Sequence, residues 1–472
     1  MTTSPRMFLS WAARHGLVKI ALSRAARRGD PQAVMMIDRE VRADPFPLYE
    51  QIRSRGPISR GGLSYVAPSR EAASAVLRSE AFRVGVDLTW VPPVVRKLVT
   101  RRDDDRIVGP IEPPSLLAVN PPEHTRYRRQ VAKVFTPRAI AALEPRVRQI
   151  ADKLLDDLHS TGAENPGQPG RPDQPGQPGQ PDRADRADRA GTDRVDLVSR
   201  YASLLPVTVI AEILGVPVGM SEQFLKWGHD AGSALDIGIS YHEYRNCERG
   251  IRALDEWMYG HIDRLRRSPG DDLLSQLIMV EDDGLRMTDL ELMSTASLLL
   301  AAGFETTVNL IGSGAQLLLT HQDQLQILQA DPSLWENAVD EILRFESPVQ
   351  NTARYAAHAT EICGLQIPKY GFVQILLGAA NRDPQVYTEP DRFDVRRPNA
   401  RDHLAFSAGV HFCLGAALAR TEGRIGLQAL FERYPELAPA GTPTRRRTRT
   451  LRGYEVLPVR TGRPQLLDPG RV

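Results

Sequence analysis

The chain has 472 residues, 42% of them hydrophobic, which is enough for a large buried core. A formal net charge of +2 excludes wholesale nucleic-acid binding, which needs a strong basic excess. Three cysteines, Cys247, Cys363 and Cys413, exclude a disulfide framework and suit a reducing cytoplasm.

In chain order, residues 6 to 28 predict a basic amphipathic helix. Phe8, Leu9, Trp11, Ala12, Leu17, Ile20 and Ala21 interleave with Arg14, Lys19, Arg24, Arg27 and Arg28. It is expected to dock on the protein body as an appendage covering residues 1–40, with weak contact to an anionic membrane as the alternative. No uninterrupted apolar run approaches spanning length and no signal-peptide cleavage pattern appears, so a cytoplasmic protein without a transmembrane segment is expected. Globular patterning begins at Asp44-Pro45-Phe46-Pro47-Leu48-Tyr49. A helix through Gln51 is followed by a hairpin over Pro57 to Val66, turned by Gly61-Gly62, and by a helix from Ser69 to Leu77. Residues 84 to 119 read as a long irregular stretch of the kind that builds binding sites, with Trp90 as an apolar candidate and a charged knot at Arg101 to Arg106.

Asn120-Pro121-Pro122-Glu123 opens a helix, and His124 and Arg128, four apart, share one of its faces. Two such donors on one face suit a pair of carboxylates. Residues 162 to 194 are low in complexity. Proline recurs every third residue from Pro166 to Pro181, and Asp-Arg-Ala repeats follow, so a solvated polyproline II linker is expected. Asp173 and Asp182 stand in the glycine register and exclude collagen. Helical patterns resume from Leu197 to Leu214, where Gly215-Val216-Pro217 stops them, and again near 221 to 235 and 242 to 267.

Thr288 to Thr320 is the longest predicted helix. Glu305, Thr306 and Thr307 interrupt its apolar middle, and polar groups buried there are costly unless paired or used. Threonine hydroxyls that bond the carbonyl one turn back would kink the helix at Gly303. An acid beside a hydroxyl also suits proton delivery. Glu341 and Arg344 form an i, i+3 pair on the next helix but one, weak by itself. After Pro348 the chain reads as extended through Arg354.

Cys413 lies just ahead of the helical run Ala416 to Tyr434. Unpaired amides and the positive end of a helix dipole favour thiolate there. Gly409 and Gly415 carry no side chain, which would let backbone approach a flat ligand. Such a thiolate serves as nucleophile, zinc ligand or axial haem ligand.

The order Phe406, Gly409, His411, Cys413, Gly415 resembles the haem-ligand loop of the cytochrome P-450 superfamily, F-x-x-G-x-H-x-C-x-G in its bacterial members. Ser407 departs from it, standing where glycine is common. Ala302-Gly303-Phe304-Glu305-Thr306-Thr307 is similar to the family's A-G-x-[DE]-T-[TS] signature. Glu341-Ile342-Leu343-Arg344, Ala380-Asn381-Arg382-Asp383-Pro384 and Pro390-Asp391-Arg392-Phe393 resemble three more of its motifs, in the family's order. The likeness runs from about 44 to 460 and lies nearest a bacterial subfamily whose physiological substrates are largely unassigned.

This resemblance implies a mainly α fold with a small β region, spanning 41–472 as one domain, with 162–194 as a surface insert. It implies haem b between the 288–320 helix and the Cys413 loop, with Cys413 as axial thiolate and His124, Arg128, Arg354 and His411 on the propionates. Thr306 and Glu305 would carry protons to dioxygen. Glu341 and Arg344 would lock onto Arg392 and hold the cysteine loop. Trp90, Leu298, Ala302, Val349 and Leu451 would line a pocket for a lipophilic substrate, under a lid formed by the 221–267 helices. The implied activity is a haem-thiolate monooxygenase fed by an external iron–sulfur ferredoxin and its NAD(P)H-dependent reductase. No flavin or iron–sulfur motif is present in the chain. Arg126, Arg129, Lys133, Arg138 and Arg424 are candidates for the donor's docking face. A peroxide-driven peroxygenase and a non-enzymatic haem sensor are the rival readings. The first would not need the Glu305–Thr306 pair, and the second would need the thiolate alone.

Overall fold

The computed structural model describes residues 5–85, 107, 109, 112–160 and 194–465. Trp90, the 101–106 knot and nearly all of the 162–194 insert therefore lie outside the described residues.

Helices dominate, and they are organised around Asp289–Thr320, a helix of 32 residues. Its start is fixed by a reciprocal cap: Thr288 Oγ1 accepts from the Glu291 amide, and the Glu291 carboxylate accepts from the Thr288 amide. By length and composition this helix could cross a membrane. Its apolar residues instead form the middle of the main core, where Leu300, Val308, Ile311 and Leu318 meet Leu205, Met258, Leu427 and Leu430. Glu144–Ser160, Leu204–Ile213, Tyr241–Arg267 and Ala416–Arg433 supply the surrounding faces. Buried tyrosines direct their hydroxyls to backbone carbonyls, Tyr201 to Gly426 and Tyr434 to Leu155, each at 2.7 Å.

The helix Ser221–Gly232 crosses the central helix at a point that only glycine permits. A Cβ on Gly228 would overlap the ring of Phe304.

The β region is a five-stranded sheet in the order Ser59–Arg60, Tyr65–Ala67, Phe372–Leu376, Asn351–Ala356, Phe82–Arg83. Tyr65–Ala67 runs parallel to Phe372–Leu376, and the other pairs are antiparallel. A second core beneath it joins Val76, Leu77, Val373 and Ile375 to Leu404 and Ala408, so the sheet supports the stretch leading to Cys413.

Near the N-terminus, Pro5–Trp11, a π-turn at Ala12–Gly16 and Leu17–Arg27 succeed one another in a helical run. Trp11 Nε1 donates to the Ile239 carbonyl at 3.0 Å, and the Phe8 and Trp11 rings lie 5.4 and 5.5 Å from Tyr241. Phe8, Leu9, Leu17 and Ile20 remain exposed.

Candidate active site

Cys413 is positioned by a tight loop. Its amide donates to the Phe406 carbonyl at 2.9 Å, and a single 3₁₀ turn, Gly409–His411, lies between them. Both Ser407 and Gly409 adopt left-handed backbone, with φ of 63° and 69°. Glycine takes that conformation freely, whereas serine is strained in it. A Cβ at Gly409 would overlap the Leu77 carbonyl. The bare Cα there therefore admits the backbone at the end of the Arg70–Arg78 helix. Around Gly415 the space is open.

The loop's entrance is pinned through a chain of buried bonds. Leu404 donates to Asn381 Oδ1 at 2.6 Å, and the Asn381 carbonyl accepts from Arg344 Nη1 at 3.0 Å. Arg344 and Glu341, both fully buried, form a bidentate pair at 2.7 and 2.8 Å. The expected third member needs correction. The Arg392 side chain points to solvent and pairs with Glu389 at 3.2 Å, so it offers the lock only its carbonyl. Arg397 completes the cluster, with Nε 3.1 Å from Glu341 Oε1 and its other nitrogens on the carbonyls of Thr388, Glu389 and Arg392. Asp340 adds a second anchor, bonded to His403 at 3.1 Å and Arg420 at 2.7 Å.

Cys413 lies deep within the protein, yet its surface is open, so it borders an internal space. Burial pushes its thiol up, against the opposing effects of the Gly415 amide, Arg128 and Arg420. Around it are four cationic or donor groups from three parts of the chain. His124 and Arg128 project from Glu123–Ala132, Arg354 from Asn351–Ala356, and His411 from the cysteine loop. The His124 and His411 rings are 4.2 Å apart, and Nε2 of each is buried without an acceptor. Burial, then the charges of Arg128 and Arg354, drives His124 down to about 4. Burial, then His124, Arg354 and Arg128, drives His411 to about 3. Arg354 is itself depressed to about 10 by burial. Neither Arg128 nor Arg354 forms an ion pair among the described residues. Such a cluster calls for anions.

On the central helix, Ala302 is exposed between buried turns. Thr306 and Thr307 each bond the carbonyl one turn back, Ala302 at 3.0 Å and Gly303 at 3.1 Å. Glu305 is buried, and its Oε1 lies 2.9 Å from Arg446 Nη1. Arg446 belongs to the hairpin whose strands are Thr444–Arg445 and Tyr454–Val456. This partner was not foreseen. The run Arg445-Arg446-Arg447 was its only signal in the sequence. The hairpin connects to the cation cluster: Val349 bridges Leu451, Gln350 donates to the Thr450 carbonyl, and the same segment continues to Arg354.

The remaining pocket candidates divide. Ala302 faces open space, whereas Leu298 packs against Leu116 and Tyr127, and Leu451 is almost fully buried. Val349 is partly buried against the sheet's core. Leu298 and Leu451 therefore act as core here, a correction to their assignment as pocket lining. The expected docking residues are also largely committed. Arg126 pairs with Glu291 at 2.6 Å, Arg129 with Asp282 at 2.9 Å, Lys133 with Asp282 at 2.7 Å and Arg424 with Glu144 at 2.7 Å.

Haem, a flat dianion whose iron takes an axial thiolate, fits this set of residues. Cys413 supplies the sulfur, and the orphaned Nε2 atoms of His124 and His411, with Arg128 and Arg354, match two carboxylates. Ala302 and Gly415 leave bare surface beside them.

Residues 241–453 match the family model described as Cytochrome P450. The chain is 45% identical to cytochrome P450 140 of Mycobacterium tuberculosis, over 96% of this chain and 97% of that one. It is 41% identical to 6-deoxyerythronolide B hydroxylase of Saccharopolyspora erythraea, over 72% and 76% of the two. Among solved structures it is similar to P450BioI in complex with hexadec-9Z-enoic acid-ligated acyl carrier protein. That match has a TM-score of 0.76 and 30% identity, and it covers 89% of this chain and all of the other.

Proposed function

The chain belongs to the cytochrome P450 family, and from that premise we propose that it hydroxylates a lipophilic small molecule, with Thr306 and Glu305 supplying the protons. It is a haem-thiolate monooxygenase. Bound haem supplies the reduction of dioxygen and the insertion of one oxygen atom into substrate.

The observation that carries the assignment of roles is the convergence of His124, Arg128, Arg354 and His411, short of counter-charge, around the open sulfur of Cys413. Cys413 would hold the iron, and the four donors would hold the propionates. Glu305, fixed by Arg446, would collect a proton from water and pass it to the Thr306 hydroxyl. Thr306 donates to Ala302 O, which leaves its oxygen lone pairs free to accept from that side.

A lipophilic substrate is supported by the similar P450BioI structure, which is in complex with an acyl carrier protein ligated to hexadec-9Z-enoic acid. Electrons would arrive from an external ferredoxin and its NAD(P)H-dependent reductase. Since most of the expected docking cations are paired, Arg138, exposed and without an ion pair among the described residues, is the residue of that set to test first. The enzyme would work in the cytoplasm. Exposed Leu9, Leu17 and Ile20 beside Lys19, Arg24 and Arg27 support weak attachment of the N-terminal helix to anionic lipid.

The test uses two variants. Cys413→Ser should lose the thiolate-type carbon monoxide difference band of the reduced protein. Thr306→Ala should keep that band while most reductant is diverted to hydrogen peroxide. A persisting band in the first, or unchanged coupling in the second, removes the corresponding role.

A further inference from the structure

The helix Ser221–Gly232 meets the central helix through two successive residues. Gly228 receives the ring of Phe304, and His229 reaches Arg446, the partner of Glu305. Nη1 of Arg446 bonds Nδ1 of His229 at 3.0 Å and stands 2.9 Å from Oε1 of Glu305. Arginine has no acceptor, so the imidazole accepts, and its single ring proton is on Nε2. One nitrogen of the C-terminal hairpin thus serves two helices.

The two contacts differ in kind. Among the described residues, the hydrogen bond of this nitrogen goes to the ring, and its contact with the carboxylate is one of charge. His229 and Glu305 are the partners of the guanidinium there, and its Nε is buried with no acceptor. The Arg446 amide donates to the Gly453 carbonyl at 3.1 Å, which fixes the backbone and leaves the aim of the side chain to those two partners. Without the ring, the guanidinium would turn onto the carboxylate, because a charge-assisted bond is roughly twice as strong as a neutral one. It would then cover the oxygen lone pairs that a proton in transit must use.

We propose that His229 is a positioning residue for oxygen activation: by accepting from Arg446 it holds the guanidinium beside Glu305 and keeps it from capping the carboxylate. It acts through Arg446 and not on the proton itself. The proposal rests on the reading of Glu305 as the proton-carrying acid, and it makes that role depend on a side chain of a different helix.

The experiment follows oxygen-dependent NADPH oxidation by the haem-loaded full chain without added substrate, in water and in deuterium oxide. Electrons are supplied through a plant-type ferredoxin and its reductase, raised until the rate no longer depends on them. His229→Leu should slow the reaction about tenfold and enlarge the solvent isotope effect. His229→Asn, whose Oδ1 can stand in for Nδ1, should restore most of the rate. In an Arg446→Met background, His229→Leu should add nothing, and denaturant midpoints of the two single variants and the double variant should be non-additive. A full rate in His229→Leu, no rescue by His229→Asn, or additive effects in the Arg446→Met background overturns the proposal. If Glu305→Gln is as fast as the unaltered chain, the proton-carrying reading fails instead, and the denaturant cycle still decides whether His229 and Arg446 are coupled.

Discussion

Arg446 Nη1 stands 2.9 Å from Oε1 of Glu305, joining the C-terminal hairpin to the middle of the central helix. Both side chains are largely buried, so each supplies the other's counter-charge. Arg446→Gln should destabilise the protein by roughly 3 kcal/mol, because it strands a buried carboxylate. The Arg446→Gln/Glu305→Gln double variant should recover much of that loss. Denaturant midpoints of the four proteins close the cycle. Glu305→Gln should also slow dioxygen-dependent turnover about 100-fold. Independent, additive effects on stability would show that the pair is not coupled.

Replacing either arginine near the lock separates the sequence motif from the structure. Arg397→Met removes a buried partner of Glu341 and should cost about 3 kcal/mol. Arg392→Ala removes an exposed side chain and should change stability by less than about 0.5 kcal/mol. Chemical denaturation of the two variants ranks them, and the reverse ranking would restore Arg392 to the lock.

Ser407 holds φ at 63°, and its hydroxyl is buried without a partner. Ser407→Gly should therefore stabilise the folded protein by about 1 kcal/mol, even after allowing for the more flexible unfolded chain. A raised denaturant midpoint with an unaltered haem spectrum is the expected result. A lowered midpoint would mean that the serine hydroxyl has a role the strain argument omits.

Acid should act through Glu346. Burial alone would raise its carboxyl, but Arg452 and Arg445 outweigh burial and hold it at about 2, against 4.5 for the unperturbed group. Its folded value is depressed, so its stabilising contribution is complete above pH 4.5 and is lost as pH falls from there toward 2. That contribution is roughly 3 kcal/mol at most. Stability measured across this window should fall less steeply in Glu346→Gln than in the unaltered chain. Parallel curves would place the acid sensitivity elsewhere.

What the sequence disclosed, it disclosed through contiguous patterns. The cysteine loop, the Glu305–Thr306 step in an apolar helix and the spacing of His124 and Arg128 each lie within a few residues, where periodicity and turn chemistry act. Ser407 was visible as a departure, and its left-handed backbone shows what the departure costs. Partners distant in the chain were not visible. Arg446 meets Glu305, and Arg397 meets Glu341, only because the fold folds the C-terminal half back on the central helix. The contact of Gly409 with Leu77 was hidden for the same reason, since nothing local to it announces that neighbour. The pocket candidates Leu298 and Leu451 failed because apolar character does not tell a cavity wall from a core.

The Phe304 ring seated over Gly228 has a mechanical consequence. A bulky knob in a notch with no Cβ resists shear along the helix axis, because the flanking side chains of Ser221–Gly232 would strike it within one residue's travel. The crossing therefore fixes one register between the two helices, keyed at the residue that precedes Glu305.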